Sequence, residues 1–304
     1  MKSGQRPTYG GQAVIEGVMI RGQKFACVAV RRPDGTIALK ADPLNRLFIG
    51  PLRRVPVVRG VLILAETLLL GMKALTWSAS VGLDEDGDEF GKGGVVLSMT
   101  LALFLAIGLF FMLPLFASRP FEGLAGSDLI SNIVEGMIRL VVFVTYIYAI
   151  GRMQQIRRVF MYHGAEHMTV HAQEQGVPLE TLEIRQYPTS HPRCGTAFLL
   201  VLMVVAIAVF AFTGREPLWW LIASRIVLVP AIAAISYEVI RFSGFHSKNP
   251  LVKLITAPSL ALQILTTRQP DDDQIEIAVS AMNYALMVDA GRGFDTSSQS
   301  HQNN

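Results

Sequence analysis

Four long apolar segments constrain this sequence more than any other feature. At about 1.5 Å per helical residue, each is long enough to cross the roughly 30 Å hydrocarbon core of a membrane. The first and third carry no charged residue, whereas the second contains Glu135 and Arg139 and the fourth contains Arg225. We therefore predict about four transmembrane helices, at residues 94–117, 129–150, 195–213 and 218–240.

The distribution of positive charge predicts how these helices are oriented. Five arginines lie in the segment 151–194, but the loops at 118–128 and 214–217 contain one arginine each. Because positively charged loops stay in the cytoplasm, the segment 151–194 and both chain termini are predicted to be cytoplasmic. No signal peptide is expected, because the first residues contain no apolar stretch. These features predict a multi-pass inner-membrane protein whose partner is the lipid bilayer, with homo-oligomerisation left open.

The bulk composition agrees with a membrane protein and does not indicate a nucleic-acid partner. Hydrophobic residues make up 51% of the chain, and the mean hydropathy is +0.40. The net charge of +3 is small and follows from the arginine distribution. The two cysteines, Cys27 and Cys194, both fall on the predicted reducing side of the membrane, so no disulfide is expected.

The chain before the first apolar segment divides into two parts. Residues 1–52 contain short apolar, β-branched runs on either side of a Pro-Asp-Gly turn signal at 33–35, which predicts a small cytosolic β-rich element. Residues 53–80 are apolar, but charged residues recur every seven positions from Arg59 to Lys73 and therefore share one stripe of a helix. We predict an amphipathic helix in the membrane interface there rather than a further span.

The remaining segments complete a mainly α fold. The apolar segments pair as two transmembrane hairpins, at 94–150 and 195–240, which the cytosolic segment 151–194 joins. Residues 241–290 contain two cytosolic helices, and residues 291–304 are polar and predicted to be disordered. The predicted fold class is a polytopic helical membrane protein with a small N-terminal β-rich element.

The cytosolic segment contains the stretch YHGAEHMTVH at residues 162–171, which is rich in metal-binding side chains. In a helix, His163, His167 and His171 recur every four residues and present their imidazoles on one face. The string HGAEH also fits the H-x-x-E-H pattern, in which two histidines hold zinc and the glutamate activates a water molecule. His163 and His167 are thus candidate metal ligands, Glu166 is a candidate general base, and His171 is a candidate for supporting contacts.

A second motif, HPRCG at residues 191–195, places His191 and Cys194 three positions apart, just before the third apolar segment. Imidazole and thiolate are ligands that zinc prefers. Both motifs lie in one segment that starts and ends at the membrane, so they are expected to meet and form a zinc site. Two simpler interpretations remain open: a histidine-rich helix without metal, and a structural site whose four positions are all filled by protein.

Several charged residues of the apolar segments are further candidates. Glu238, at the predicted cytosolic end of the fourth segment, either supports the metal site or pairs with Arg241. Glu135 and Arg225 each lie about 10 Å from the outer ends of their helices, which predicts an ion pair inside the membrane, with Arg139 one turn from Glu135. A proton or ion path through these charges is the functional alternative.

Five stretches of the chain also occur together, in the same order, in a known family. They are GGQAVIEGVMIRG, YHGAEHMTVHAQE, HPRCGTAFL, ISYEVIRF and LQILTTRQPDDDQIEIA. Over residues 9–288 the chain therefore resembles the YqhQ-like family of bacterial membrane proteins, which are classed as predicted metal-dependent enzymes. The resemblance implies one site made of His163, Glu166, His167, His191 and Cys194, approached by Gln12, Glu16 and Arg21. The usual family pattern has lysine where this chain has Met168, so a role for a cation at that position is not expected in this chain.

The sequence therefore predicts a zinc-type integral membrane enzyme, and more specifically a hydrolase acting at the cytosolic membrane surface on a substrate that is left open. The predicted metal ligands are His163, His167, His191 and Cys194. Four protein ligands would leave no position for water, so hydrolysis requires Cys194 to be unbound. Glu166 is then the general base or a further ligand. The first alternative is a non-enzymatic membrane protein whose structural metal site helps it recruit a cytosolic partner. The second is a transporter that uses the intramembrane charges.

Overall fold

The computed structural model describes residues 9–45, 50–51, 55–56, 58–82, 92–246 and 249–292 of the chain. Within these residues the fold is mainly helical, with a small antiparallel sheet near the N-terminus, which confirms the predicted fold class in outline. The predicted disordered tail lies outside the described residues from position 293 onwards.

The N-terminal sheet is a four-stranded antiparallel meander in which each strand pairs with the next. Its strands are β1 (Gly10–Val14), β2 (Gly17–Arg21), β3 (Phe25–Arg31) and β4 (Ile37–Pro43). The predicted turn at 33–35 joins β3 to β4. There Gly35 adopts a φ of 86°, which glycine tolerates, and Asp34 Oδ1 accepts the Thr36 backbone N–H at 2.8 Å.

The helices follow the sheet in the chain. They are α1 (Val58–Gly82), α2 (Lys92–Ile107), α3 (Leu113–Ala125), α4 (Asp128–Ile150), α5 (Gln154–Gln175), α6 (Thr181–Ile184), α7 (Gly195–Ala211), α8 (Leu218–Val227), α9 (Val229–Phe245), α10 (Pro250–Thr266) and α11 (Asp272–Asp289). Helix α11 begins with a capping box, in which the Asp271 side chain accepts the Gln274 backbone N–H at 3.0 Å.

Helices cover both faces of the sheet, which explains why its central strands are almost continuously apolar. Successive side chains of a strand point to opposite faces. On one face, Met19 and Val28 pack in a buried cluster with Ala74 of α1. On the other face, Ile20 and Cys27 pack with residues of α5 and α11. The sheet is therefore the middle layer of three, and α5, which carries the histidine motif, is part of an outer layer.

Helix α1 connects this layered unit to the apolar helices. Its Glu66 is buried against the sheet, with Oε1 2.8 Å from Arg21 Nη2. Near its start, Arg59 forms an ion pair with Glu238 of α9. Several large apolar side chains of α1 remain exposed: Leu68, Leu69, Met72 and Leu75.

In the described part of the chain, two helical stretches are long and apolar enough to cross a membrane, Leu97–Phe121 and Asp128–Ile150. A third span results if Leu218–Val227 and Val229–Ser243, which meet at a bend of 42°, count as one. Pro230 explains the bend, because proline has no N–H for the carbonyl four residues earlier and its ring crowds that turn.

The structure therefore has two or three candidate spans where the sequence predicted about four. The segment predicted at 195–213 forms α7, whose 17 residues rise only about 25 Å, less than the roughly 30 Å of hydrocarbon. The apolar run at 218–240 is divided by the bend. Hydropathy alone does not fix the number of spans, because an apolar sequence does not show where a helix ends or bends.

A π-helical turn, Gly108–Met112, interrupts the first candidate span. Pro114 follows this turn and cannot donate to the Phe110 carbonyl, which lies four residues earlier. The Nε atom of Arg139 on α4 donates to that carbonyl at 2.8 Å instead. The interruption thus fixes α4 against the first span.

Candidate metal centre

The candidate metal ligands of α5 lie on a different face of the helix from its core residues. Tyr162, Ala165 and Met168 pack with the sheet and α11. His163 and His167 are one helical turn apart, and the centroids of their rings are separated by 4.4 Å. The predicted spacing therefore brings the two imidazoles together.

A backbone carbonyl fixes one nitrogen of each imidazole. His163 Nδ1 lies 2.9 Å from the carbonyl oxygen of Thr266, and His167 Nδ1 lies 2.6 Å from that of Thr189. Because a carbonyl can only accept, both Nδ1 atoms carry a proton, and Nε2 is the nitrogen that has the lone pair when the ring is neutral. Metal-binding histidines are held in this manner, since the second hydrogen bond fixes the ring and makes the free nitrogen more basic.

Cys194 faces His163 from the N-terminus of α7. Its Sγ atom lies 3.2 Å from His163 Nε2 and accepts the Thr196 backbone N–H at 3.3 Å, as a helix N-cap does. One ligand atom from each of His163, His167 and Cys194 lies within 4.8 Å of the others. Two nitrogens and one sulfur thus converge at a spacing that one ion can bridge after a small adjustment.

Helix α10 holds the segment that precedes Cys194. Gln263 Nε2 donates to the His191 carbonyl at 2.9 Å, and Gln263 Oε1 accepts the His191 backbone N–H at 2.8 Å. The chain after α10 also approaches α5 closely at Gly164, where a Cβ atom would lie only 2.2 Å from the Arg268 carbonyl oxygen. The site is therefore assembled from α5, the segment 189–194 and the end of α10.

Glu166, the predicted general base, lies beside the two histidines and has only 4% of its surface exposed. Its Oε2 atom is 3.4 Å from His167 Nε2. Strand β1 covers this side chain, because a Cβ atom at Gly11 would lie 3.0 Å from Glu166 Cγ. The carboxylate is close enough to the converging donors to serve as a fourth ligand or as a proton acceptor.

A second group of donors lies next to the first. His171 and Glu174 of α5 approach His191, with ligand atoms again within 4.8 Å of one another. The centroid of the His191 ring is 4.5 Å from that of His171 and 5.8 Å from that of His167. The predicted set of four ligands is thus divided, with His191 in this second group. Sequence reasoning missed Glu174, although its position three residues after His171 places it on the same helical face.

Burial sets the protonation of the second group. It lowers the pKa of both His171 and His191, so both imidazoles are neutral near pH 7. His171 Nε2 lies 2.9 Å from the Ser190 carbonyl oxygen and donates to it, whereas His191 Nδ1 accepts the Arg193 backbone N–H at 3.2 Å. The Arg193 guanidinium also contacts the Glu174 carboxylate.

The two carboxylates predicted to support the site contact other partners. Glu16 Oε1 accepts a hydrogen bond from Arg158 Nε at 2.7 Å, and Glu16 Oε2 accepts one from the Tyr162 hydroxyl at 3.1 Å. Glu16 therefore ties the sheet to α5 next to the histidine motif. Glu238 pairs with Arg59 of α1.

The other two residues that the resemblance placed near the site contact α1. Gln12 Nε2 donates to the Thr67 carbonyl at 3.1 Å, and Arg21 pairs with Glu66. This N-terminal motif thus fastens the sheet between α1 and α5.

Among the apolar helices, Glu135 is surrounded by three arginines. Its carboxylate lies 2.6 Å from Arg139 Nη2, 2.9 Å from Arg215 Nη1 and 3.1 Å from Arg225 Nη2. All four residues are at most 7% exposed, and every side-chain nitrogen of Arg225 has an acceptor. Glu135 and Arg225 thus form the predicted ion pair within a larger network. Arg215 also belongs to this network, although the sequence predicted only that it lies in a loop. Because the charged groups of Glu135 and Arg225 all have partners, this network favours a structural role.

Comparison with known proteins gives two matches. The model of a family described as "Protein of unknown function (DUF1385)" matches residues 55–288. A protein of Bacillus subtilis (strain 168), described as "Uncharacterized protein YqhQ", is 31% identical over 298 residues, which cover 93% of this chain and 94% of that protein. No solved structure matches the chain.

Proposed function

The chain belongs to the YqhQ-like family, whose members are described as proteins of unknown function, and we propose that it is a zinc-type, metal-dependent hydrolase at the cytosolic surface of the membrane. The observation that carries this proposal is the locked orientation of two imidazoles. Thr266 and Thr189 hold the Nδ1 protons of His163 and His167, which leaves Nε2 as the ligand atom of each neutral ring. One ligand atom from each of His163, His167 and Cys194 lies within 4.8 Å of the others.

The donor set fits a zinc ion. The ion would be held by His163 Nε2, His167 Nε2 and Cys194 Sγ, which are the nitrogen and sulfur ligands that zinc prefers. Three protein ligands leave one position for water or substrate, as catalytic sites require. When bound, the ion would supply Lewis-acid chemistry and lower the pKa of water. Hydrolysis in this arrangement does not require Cys194 to be unbound, because His191 lies in the neighbouring group.

Glu166 would take the proton of the attacking water at Oε2, the carboxylate oxygen nearest to His167 Nε2. Strand β1 packs against the Glu166 side chain at Gly11, and the residue is only 4% exposed, so bulk water is excluded from it. A carboxylate that is shielded from water interacts strongly with a nearby charge, because the local dielectric constant is low. Glu166 would therefore stay close to the bound metal ion while it acts as the base.

The neighbouring elements support placement at the membrane surface. Helix α4, a candidate span, ends at Ile150, four residues before α5 begins, and the apolar helix α7 begins directly after Cys194. The exposed leucines of α1 provide further apolar surface beside the layered unit. We place the histidines on the cytoplasmic side because arginines concentrate in the segment 151–194.

A purely structural zinc site is the second candidate, because Glu166 also lies close enough to fill the fourth position. The two functions differ in what Glu166→Gln does. The test compares this variant with Glu180→Gln, which alters an exposed carboxylate of the same segment. Each purified protein is assayed for zinc content and for hydrolysis of chromogenic phosphoesters, acyl esters and peptides.

The hydrolase proposal predicts that Glu166→Gln keeps its zinc and loses about 100-fold or more of a hydrolytic activity that wild type and Glu180→Gln share. Loss of zinc from Glu166→Gln would assign Glu166 as a ligand and favour the structural site. Full zinc content with no hydrolysis by wild type on any substrate class would contradict the hydrolase.

A further inference from the structure

The histidine cluster contains more donors than one zinc ion uses. Four ligands complete a zinc site, and His163, His167, Cys194 and Glu166 already provide four groups. His171, Glu174 and His191 remain, with ligand atoms within 4.8 Å of one another. A separate set of three converging donors so close to the first requires its own explanation.

The three donors of this second set lie close enough to share a cation once His191 and Glu174 give up their contacts with Arg193. His171 donates through Nε2 to the Ser190 carbonyl, which leaves its Nδ1 lone pair free. His191 has 4% of its surface exposed, and its Nε2 atom makes no hydrogen bond within the described residues. The nearest carboxylate oxygen, Glu174 Oε1, is 3.5 Å away. An unsatisfied buried nitrogen is costly. A cation bound between these groups would satisfy Nε2 once its proton has moved to Nδ1.

We propose that His171 Nδ1, His191 Nε2 and Glu174 Oε1 form a second site for a divalent transition-metal ion, next to the zinc-type site. This inference rests on the proposed function, because the two ions together would make a two-metal centre. Two imidazoles and one carboxylate contain no sulfur, so the second site has a harder donor set than the first. Paired ions stabilise both the attacking and the leaving oxygen in hydrolysis.

Arg193 competes with an ion at this second site. Its guanidinium contacts Glu174, and its backbone N–H donates to His191 Nδ1. An ion on His191 Nε2 requires the proton to move to Nδ1, which ends the hydrogen bond from the Arg193 backbone N–H. An ion on Glu174 Oε1 displaces the Arg193 guanidinium from that oxygen. The Arg193 side chain is 42% exposed and can turn into solvent. Removal of its charge in Arg193→Gln should therefore tighten binding of the second ion by about tenfold.

Cobalt titration of the full-length protein in detergent separates the two sites, because only a site with Cys194 gives a thiolate-to-cobalt charge-transfer band. The wild type should bind two equivalents of Co²⁺, and the band should saturate at one. Glu174→Ala should bind one equivalent and keep the band. Cys194→Ser should lose the band and retain the second-site equivalent. His171→Phe, which preserves stacking on Tyr187, repeats the Glu174 test in case Glu174→Ala does not fold.

Each result decides which of the two sites stands. If wild type and both second-site variants, Glu174→Ala and His171→Phe, bind one equivalent with the band, the second site is wrong and the first stands. If wild type binds one equivalent of Co²⁺ without the band, and Glu174→Ala binds none, the zinc-type site is wrong and the second stands. If wild type binds no cobalt, both are wrong. Circular dichroism of each variant verifies that it is folded.

Discussion

His163 Nε2 lies 3.2 Å from Cys194 Sγ, although 31 positions separate the two residues in the chain. The contact depends on tertiary structure. Thr266 orients the imidazole from the end of α10, and Gln263 of the same helix holds the segment that leads to Cys194. Substitutions in α10 and in the chain that follows it should therefore weaken metal binding at the candidate site, even where the substituted residue is not a ligand.

Gly164→Ala should damage the site without altering a ligand. The new Cβ atom would lie 2.2 Å from the Arg268 carbonyl oxygen, so the chain after α10 must move away from α5 and draw Thr266 from His163. We expect a loss of about 1–3 kcal/mol in the free energy of unfolding and weaker zinc binding. Gly195→Ala is the control, since a Cβ atom there meets nothing within 4 Å. Equal zinc affinities for the two variants, measured by competition with a chelator, would argue against this role of Gly164.

Gln263→Leu should release the segment before α7. The substitution leaves the buried backbone N–H and carbonyl of His191 without their partners, at about 1–3 kcal/mol for each unsatisfied group. Thermal unfolding in detergent should show a lower midpoint than for Gln186→Leu, which alters an exposed glutamine. Because the displaced segment carries Cys194, the cobalt charge-transfer band should also weaken. An unchanged band would mean that α10 does not position the cysteine.

Local patterns predicted the parts of the site that depend on helical spacing. The four-residue spacing of His163 and His167, and the H-x-x-E-H pattern around Glu166, required only that α5 be helical. The path of the segment 189–194 could not be read in this way. His191 and Cys194 are close in sequence, yet the turn before α7 directs them to different groups on α5.

The fold was predictable to a similar extent. The Pro-Asp-Gly signal gave the β3–β4 turn, because the conformations of proline and glycine are local properties. The number of spans could not be fixed from the sequence, since the bend at Pro230 and the short length of α7 depend on packing between helices as well as on apolarity. The contact between Arg215 and Glu135 was not predicted, because the position of a residue in a loop does not show which side chains it contacts in the folded protein.

Glu16 should make the stability of the protein depend on pH. A hydrogen bond from Arg158 lowers the pKa of the Glu16 carboxyl below its ordinary value of about 4.3. The unfolded state therefore takes up this proton first as the pH falls. The stabilisation by Glu16 is present above pH of about 4.3 and is lost as the pH falls from there through the lower pKa of the folded state.

Glu16→Gln measures this contribution. Both side chains of the ion pair are partly exposed, so the wild type should exceed the variant by about 1 kcal/mol or less at pH 7. The difference should shrink towards pH 3. Glutamine occupies the same left-handed backbone position as Glu16, so backbone strain cancels from the comparison. A difference that stays constant with pH, in chemical denaturation curves, would exclude the carboxylate as its source.

Arg225→Met should destabilise the apolar helices, because it removes a buried partner of Glu135. Glu135 keeps Arg139 and Arg215. We therefore expect a loss of about 1–3 kcal/mol in the free energy of unfolding, from the buried acceptors that Arg225 leaves unsatisfied. Arg119→Met serves as the control, since Arg119 is exposed and lies over the Phe116 ring. The measurement is the midpoint of thermal unfolding of the purified protein in detergent. A transporter predicts the opposite behaviour: Arg225→Met would keep the wild-type midpoint and abolish ion or solute flux in vesicles.

The zinc content of purified protein tests the central claim most directly, for wild type, His163→Ala and His246→Ala. His246 is an exposed histidine outside the cluster and controls for the loss of an imidazole. The metal centre predicts that His163→Ala contains one equivalent of zinc less than wild type, while His246→Ala matches wild type. Equal zinc content in all three folded proteins, or none in any of them, would contradict it.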